Sequence, residues 1–202
     1  MREAVIVSTA RTPIGKAFRG AFNDTQAQEM AGHAIAEAVK RSKVSKEEID
    51  DVIIGAAGQQ GSQQGNIARQ SLLRAGLPVS VAGMSLYRQC ASGMMAIATA
   101  AKEITEDGMT ITVGGGVESV SLVRNENFRM DRARDPWLEE NIPALYMTMI
   151  ETAENVAKRY DISRESQDEY ALQSQIRTAN AQKNGLMDKE IVPLKSTICL
   201  LY

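Results

Sequence analysis

Residues 86–101, "LYRQCASGMMAIATAA", set one cysteine, Cys90, between a strand-like apolar segment and a run of small, helix-compatible side chains. The chain has 202 residues with only two cysteines and one histidine, so a nucleophile here has few possible helpers. A cysteine that opens a helix stands beside backbone N–H groups that lack an internal partner and carry partial positive charge. That setting favours the thiolate, the reactive form of the side chain. The same N–H groups can hold the oxyanion formed when a thiolate attacks a carbonyl. The competing reading is an inert packed thiol, because free cysteine is among the most buried residue types.

The other residues able to do chemistry are few. His33 falls off the apolar stripe of its helix, on the face shared with Glu29, Glu37 and Lys40, which makes it a solvated surface histidine. Cys199, in "STICLLY", reads as incidental. A Cys–His hydrolase would therefore rest on one surface-facing histidine. No metal site is expected.

The elements that position Cys90 follow from the hydrophobic pattern. "AVIVSTA" and "DVIIGAAG" read as strands, as do "VAGMSLY" before Cys90 and "MTITVGGG" after its helix. Between them, Thr25 with Gln28 fits a capping box. The helix it opens carries Ala27, Met30, Ala31, Ala34, Ile35, Ala38 and Val39 as an amphipathic stripe. Ser45 with Glu48 fits a second box, and "NIARQSLLRAG" is a helix stopped at Gly76. The order β-α-β-α-β-α-β argues for an α/β layered fold with a largely parallel sheet and right-handed crossovers. The helix after Cys90 has nothing charged before Lys102, and a helix apolar all round is expected to be buried all round. Past Glu118 the pattern turns polar and irregular. Helices resume at "ETAENVAKRY" and again from Arg164 to about Asn184, the latter capped by Ser163 and stopped by Gly185.

Composition limits the partners. Hydrophobic residues make up 44% and charged residues 24%, with a net charge of −2, so no electrostatic footprint for nucleic acid is present. No apolar run reaches membrane-spanning length, and the N-terminal run is too short for a signal peptide. Two distant cysteines suggest a reducing compartment rather than a disulfide framework. A soluble, cytoplasmic protein is the expectation.

The motif "RQCASGMMAIATA" resembles the nucleophile segment of the thiolase family. "ARTPIGKAFRG", "GGGVESVS" and "TAENVAKRYDISRESQDEYALQSQ" resemble further thiolase segments in the same order, from Arg2 to about Pro193. The resemblance implies a thiolase-like layered fold: two β-α-β-α-β-α-β-β halves, with the helix after Cys90 as one of a central buried pair. A loop domain inserted in the first half would shape an acyl and pantetheine tunnel, with Met149 as a lining, substrate-binding residue. By this resemblance the domains are residues 1–118 as the N-terminal core half, 119–195 as a partial loop domain, and 196–202 as an atypical tail, truncated or frame-shifted. The activity implied is that of an acyl-CoA C-acyltransferase. Cys90 takes the acyl group, coenzyme A thioesters are substrates, no separate cofactor is needed, and the full-length family is commonly a homo-oligomer.

The family draws its histidine, second cysteine and oxyanion-positioning asparagine from motifs of its second half, none of which occurs here. An inactive thiolase half, acting at most as a folding or interaction fragment, is the alternative. Two positions depart from the family pattern within the matched part. Tyr87 stands where asparagine is usual, and Met149-Ile150 stands where Met-Gly is common. The glycines Gly114, Gly115 and Gly116 can serve layer packing without any ligand.

Overall fold

Asp51–Gly55 carries apolar side chains on both faces and is buried along its whole length, as a central parallel strand covered from both sides must be. In the computed structural model, which describes residues 2–199, this segment is β1. It pairs in parallel with β2 (Ala82–Leu86) on one side and β3 (Thr112–Gly116) on the other, in the order β2-β1-β3. The register sets Gly55 level with both Leu86 and Gly116, so all three strands end together.

The helices of this part are α1 (Ala27–Ser42), α2 (Ile67–Arg74) and α3 (Ser92–Thr105). Val52 and Ile54 of β1 pack with Ile35 and Val39 of α1 and with Ile67 and Leu72 of α2. Ile53 points the other way, onto Ala96 and Ala100 of α3. The sheet is therefore sandwiched, with α1 and α2 on one face and α3 on the other. The connections explain this: β1 to β2 steps one way and β2 to β3 steps back across β1, so crossovers of one hand must lie on opposite faces. Small residues let α3 sit close. A Cβ on Gly114 would stand 2.7 Å from Ile97 Cα, so the glycine-rich end of β3 serves helix–sheet packing.

Several expectations need correction. The first run, residues 4–10, joins no ladder among the described residues, and Val5, Ile6 and Val7 are exposed. It is held instead by single contacts: Arg2 donates to the Gly108 carbonyl, Ser8 to the Ala38 carbonyl, and Arg41 to the Thr9 carbonyl. A β-branched run marks strand propensity, which is a weak local preference and does not by itself establish pairing. The box at Thr25 and Gln28 does not form. Gln26 precedes α1 without a side-chain cap, and Thr25 Oγ1 is buried without a partner. The second box, Ser45 with Glu48, does form, with Glu48 accepting from the Ser45 N–H at 3.1 Å.

The chain divides into two compact units, one running to Phe128 and resuming at Glu190, the other Arg129–Lys189. The change of composition after Glu118 thus lies ten residues ahead of the division. In the first unit, α4 (Val120–Val123) follows β3. The returning segment pairs with Arg11, whose N–H donates to the Glu190 carbonyl at 2.9 Å and whose carbonyl accepts from Val192. Asn23 then holds the backbone of Cys199 from both sides, at 2.7 and 2.9 Å. The remaining tail residues, 200–202, lie outside the described residues.

The second unit holds α5 (Pro136–Asn141), α6 (Met149–Arg159) and α7 (Arg164–Lys183). Ser163 caps α7 through the Ser166 N–H, and Gly185 takes the left-handed conformation beyond it, as the sequence suggests. None of these three helices buries a residue. Among the described residues, no helix is long and apolar enough to cross a membrane.

Candidate active site

Five residues, 87–91, carry the chain from the end of β2 into α3, and the turn is sharp. Gln89 adopts φ +50°, a left-handed conformation uncommon for a side chain of its size. Cys90 follows it and is exposed. The Ser92 hydroxyl accepts from the Arg88 N–H at 2.8 Å and donates to the Gln89 carbonyl at 2.6 Å, so it spans the turn from below. Ala91 is the residue before α3 and makes no side-chain cap. Among the described residues, the N–H groups of Gly93 and Met94 in the first helical turn find no acceptor. The corner thus presents an exposed cysteine two residues before a 14-residue helix, at the end where its first-turn N–H donors stay open.

That corner lies at the carboxyl ends of parallel strands, where open α/β sheets place their sites. The loops around it are braced by a network that the sequence reading missed. Glu118, just beyond β3, accepts from the Ala57 N–H at 2.8 Å and the Gly58 N–H at 3.2 Å, in the loop after β1. Gln63, fully buried, donates to the Gly58 carbonyl and to Glu118, and accepts from the Ser119 N–H. The only hint in the sequence is a lone glutamate behind three glycines. Nothing marks Gln63 within "GQQGSQQG".

The remaining candidates stand elsewhere. His33 is half-buried rather than solvated, with Nε2 3.0 Å from the Pro193 carbonyl. It belongs to α1, across the sheet from α3, so no Cys90–His33 dyad forms. The Cys199 side chain is exposed. Met149 opens α6 in the second unit and is exposed, as is Ile150. Tyr87 is exposed directly after β2. A cavity of about 380 Å³ lies between residues 10–17, α1 and residues 116–121, lined in part by Arg11, Lys16, Phe22 and Glu118, and Cys90 is not among its walls. Among the described residues, no group of three or more His, Cys, Asp or Glu side chains is placed to hold a metal ion.

The helix after Cys90 is buried on one face only, against the expectation from its composition. Ser92, Ala96, Ala100 and Glu103 face the sheet, while Met94 is 77% and Ile97 46% exposed. An apolar outer face without a covering layer is the physical reason, since composition reports what a helix can bury and not what is there to cover it.

A cysteine at the turn from a parallel strand into a helix, on a sheet covered from both faces, defines an α/β protein with a nucleophile-type corner. The family model for the thiolase N-terminal domain matches residues 4–199. The chain is 40% identical over 200 residues to a 3-ketoacyl-CoA thiolase of Bacillus subtilis (strain 168), covering 98% of this chain and 50% of that protein. It is also 40% identical over 213 residues to a 3-oxoadipyl-CoA/3-oxo-5,6-dehydrosuberyl-CoA thiolase of Escherichia coli (strain K12), covering 96% and 52%. An acetyl-CoA acetyltransferase of Cupriavidus necator is 40% identical over 204 residues, covering 96% and 51%. The chain belongs to the thiolase family, as its N-terminal domain. It spans about half the length of the curated relatives it matches.

Proposed function

We propose that this chain carries the acyl-accepting corner of an acyl-CoA C-acyltransferase, with Cys90 as the nucleophile. The observation that carries the reading is the exposed Cys90 at the turn into α3, whose first-turn N–H groups at Gly93 and Met94 have no acceptor among the described residues. In the step proposed, the Cys90 thiolate adds to the thioester carbonyl of an acyl-CoA, and the oxyanion formed is held by backbone donors of the helix terminus. Collapse of that intermediate breaks the carbon–sulfur bond to coenzyme A and releases its thiolate, leaving an acyl-cysteine. Claisen condensation or thiolytic cleavage of a 3-oxoacyl-CoA needs a further acid/base. His33, across the sheet, does not supply it. We therefore expect acylation by this chain and no turnover.

Met149 as an acyl-contacting residue remains part of the proposal, as does homo-oligomerisation of the complete protein. Both cysteines are free thiols, which fits a reducing, cytoplasmic setting and supports no more than that. The test is the release of free coenzyme A from acetyl-CoA. The expected result is a burst of about one equivalent per chain and no 3-oxoacyl product, as for any acyl-enzyme that cannot complete its cycle. Absence of the burst in folded protein would refute the reading.

A further inference from the structure

The thiol of Cys90 depends on a turn that a glutamine should not hold unaided. Gln89 at φ +50° is a conformation that persists only where the surroundings over-determine it. The Ser92 hydroxyl is the side-chain group that does so. It grips the Arg88 N–H on one side of Gln89 and the Gln89 carbonyl on the other, and at 4% exposure it meets little competing water. The Ser92 backbone is fixed in turn, because its own N–H donates to the Gln89 carbonyl at 3.1 Å and its carbonyl lies against Gly55, where no side chain would fit.

A serine at a helix start ordinarily caps the helix by accepting from an N–H one turn further on. Ser92 is one residue past the N-cap Ala91, which has no side-chain group to cap with, and does not take that role. Its hydroxyl is directed back into the turn, and the Gly93 and Met94 N–H groups that a cap would occupy stay open. We propose that Ser92 is a positioning residue for the nucleophile, locking the left-handed turn at Gln89 so that Cys90 is held at the open end of α3. The inference rests on the reading of Cys90 as the nucleophile and adds the part that holds it in place.

The test is the rate of Cys90 alkylation by iodoacetamide across pH, followed by intact mass in a Cys199→Ala background so that one thiol reports. Ser92→Ala should slow the reaction near neutral pH about tenfold, the scale of one released backbone strain. Adding Gln89→Gly should restore it to within about twofold, because glycine takes a positive φ without help. A structural role alone would not be rescued by a change at residue 89. Ser92→Thr against Ser92→Val, alike in size and differing in the hydroxyl, repeats the comparison should the alanine variant lose helical signal. The threonine should keep the rate and the valine lose it.

A Ser92→Ala profile that overlays the parent's would overturn the role of Ser92 while leaving the reading of Cys90 as the nucleophile in place. A slowed Ser92→Ala variant that Gln89→Gly does not rescue would overturn it as well. The parent chain alone tests the underlying reading: an alkylation rate no different from that of a free exposed thiol would remove both.

Discussion

Gly55 ends the central strand directly against Ser92: a Cβ added to Gly55 would collide with the Ser92 carbonyl carbon and oxygen and would come within 2.7 Å of the Gly93 nitrogen. The glycine at the strand's end thus sets how closely the helix that follows Cys90 can start. Gly55→Ala must push backbone rather than a flexible side chain, a case of overpacking. We expect a loss of about 1–3 kcal/mol, read as a lower denaturation midpoint with an unchanged slope. A variant as stable as the parent would show that α3 is free to shift.

The brace behind the corner makes a second prediction. Gln63→Leu fills similar space but leaves the Gly58 carbonyl and the Ser119 N–H without their buried partner. Leaving such groups unpaired costs about 1–3 kcal/mol, and we expect a loss in that range by urea denaturation. Glu118→Gln keeps one acceptor for the Ala57 and Gly58 N–H groups and should cost less.

Glu103, buried in the last turns of α3, predicts a dependence on pH. Burial raises its carboxyl above the ordinary value, and the nearby Asp51 and Asp107 add to the effect. Asp51 is raised too, first by burial and then by Asp50, against a lowering bond from the Val52 N–H. An acid with a raised folded value holds its proton better folded than unfolded. Its contribution is present below the unfolded value and is lost as pH rises through the folded one. Glu103→Gln should therefore raise the melting temperature at about pH 8, and the gain should disappear near about pH 4. A constant difference at both would show that this carboxyl does not titrate abnormally.

The uncovered face of α3 predicts self-association. Met94 and Ile97 stand exposed on one side of a helix with few charges, and each large apolar side chain buried is worth roughly 1.5–3 kcal/mol. Sedimentation velocity should show concentration-dependent association of the parent chain, reduced by Met94→Lys with Ile97→Lys. A monomer at all concentrations would contradict this.

The parts of this fold legible in the sequence are those whose signal is local. The strand Asp51–Gly55 is uninterrupted in its apolar run, α1 shows its stripe, and Ser163 and Gly185 mark both ends of α7. The failures concern partners. Val5–Val7 has strand composition but joins no ladder among the described residues, and α3 has a composition for burial on all sides but a cover on one. One start is also local: Thr148 with Glu151 forms the capping box that opens α6 at Met149, two residues ahead of the "ETAENVAKRY" segment. The place of Cys90 at a strand-to-helix turn was legible because the apolar runs on either side of it mark both elements. Ser92, Gln63 and Glu118 were not, because their roles lie in bonds to backbone that no periodicity encodes.

Whether Cys90 takes an acyl group is read from the intact mass of the purified chain after incubation with acetyl-CoA. We expect a single acetyl adduct that disappears in Cys90→Ala and remains in Cys199→Ala. A folded chain that gains no adduct, or one whose adduct survives Cys90→Ala, would contradict this.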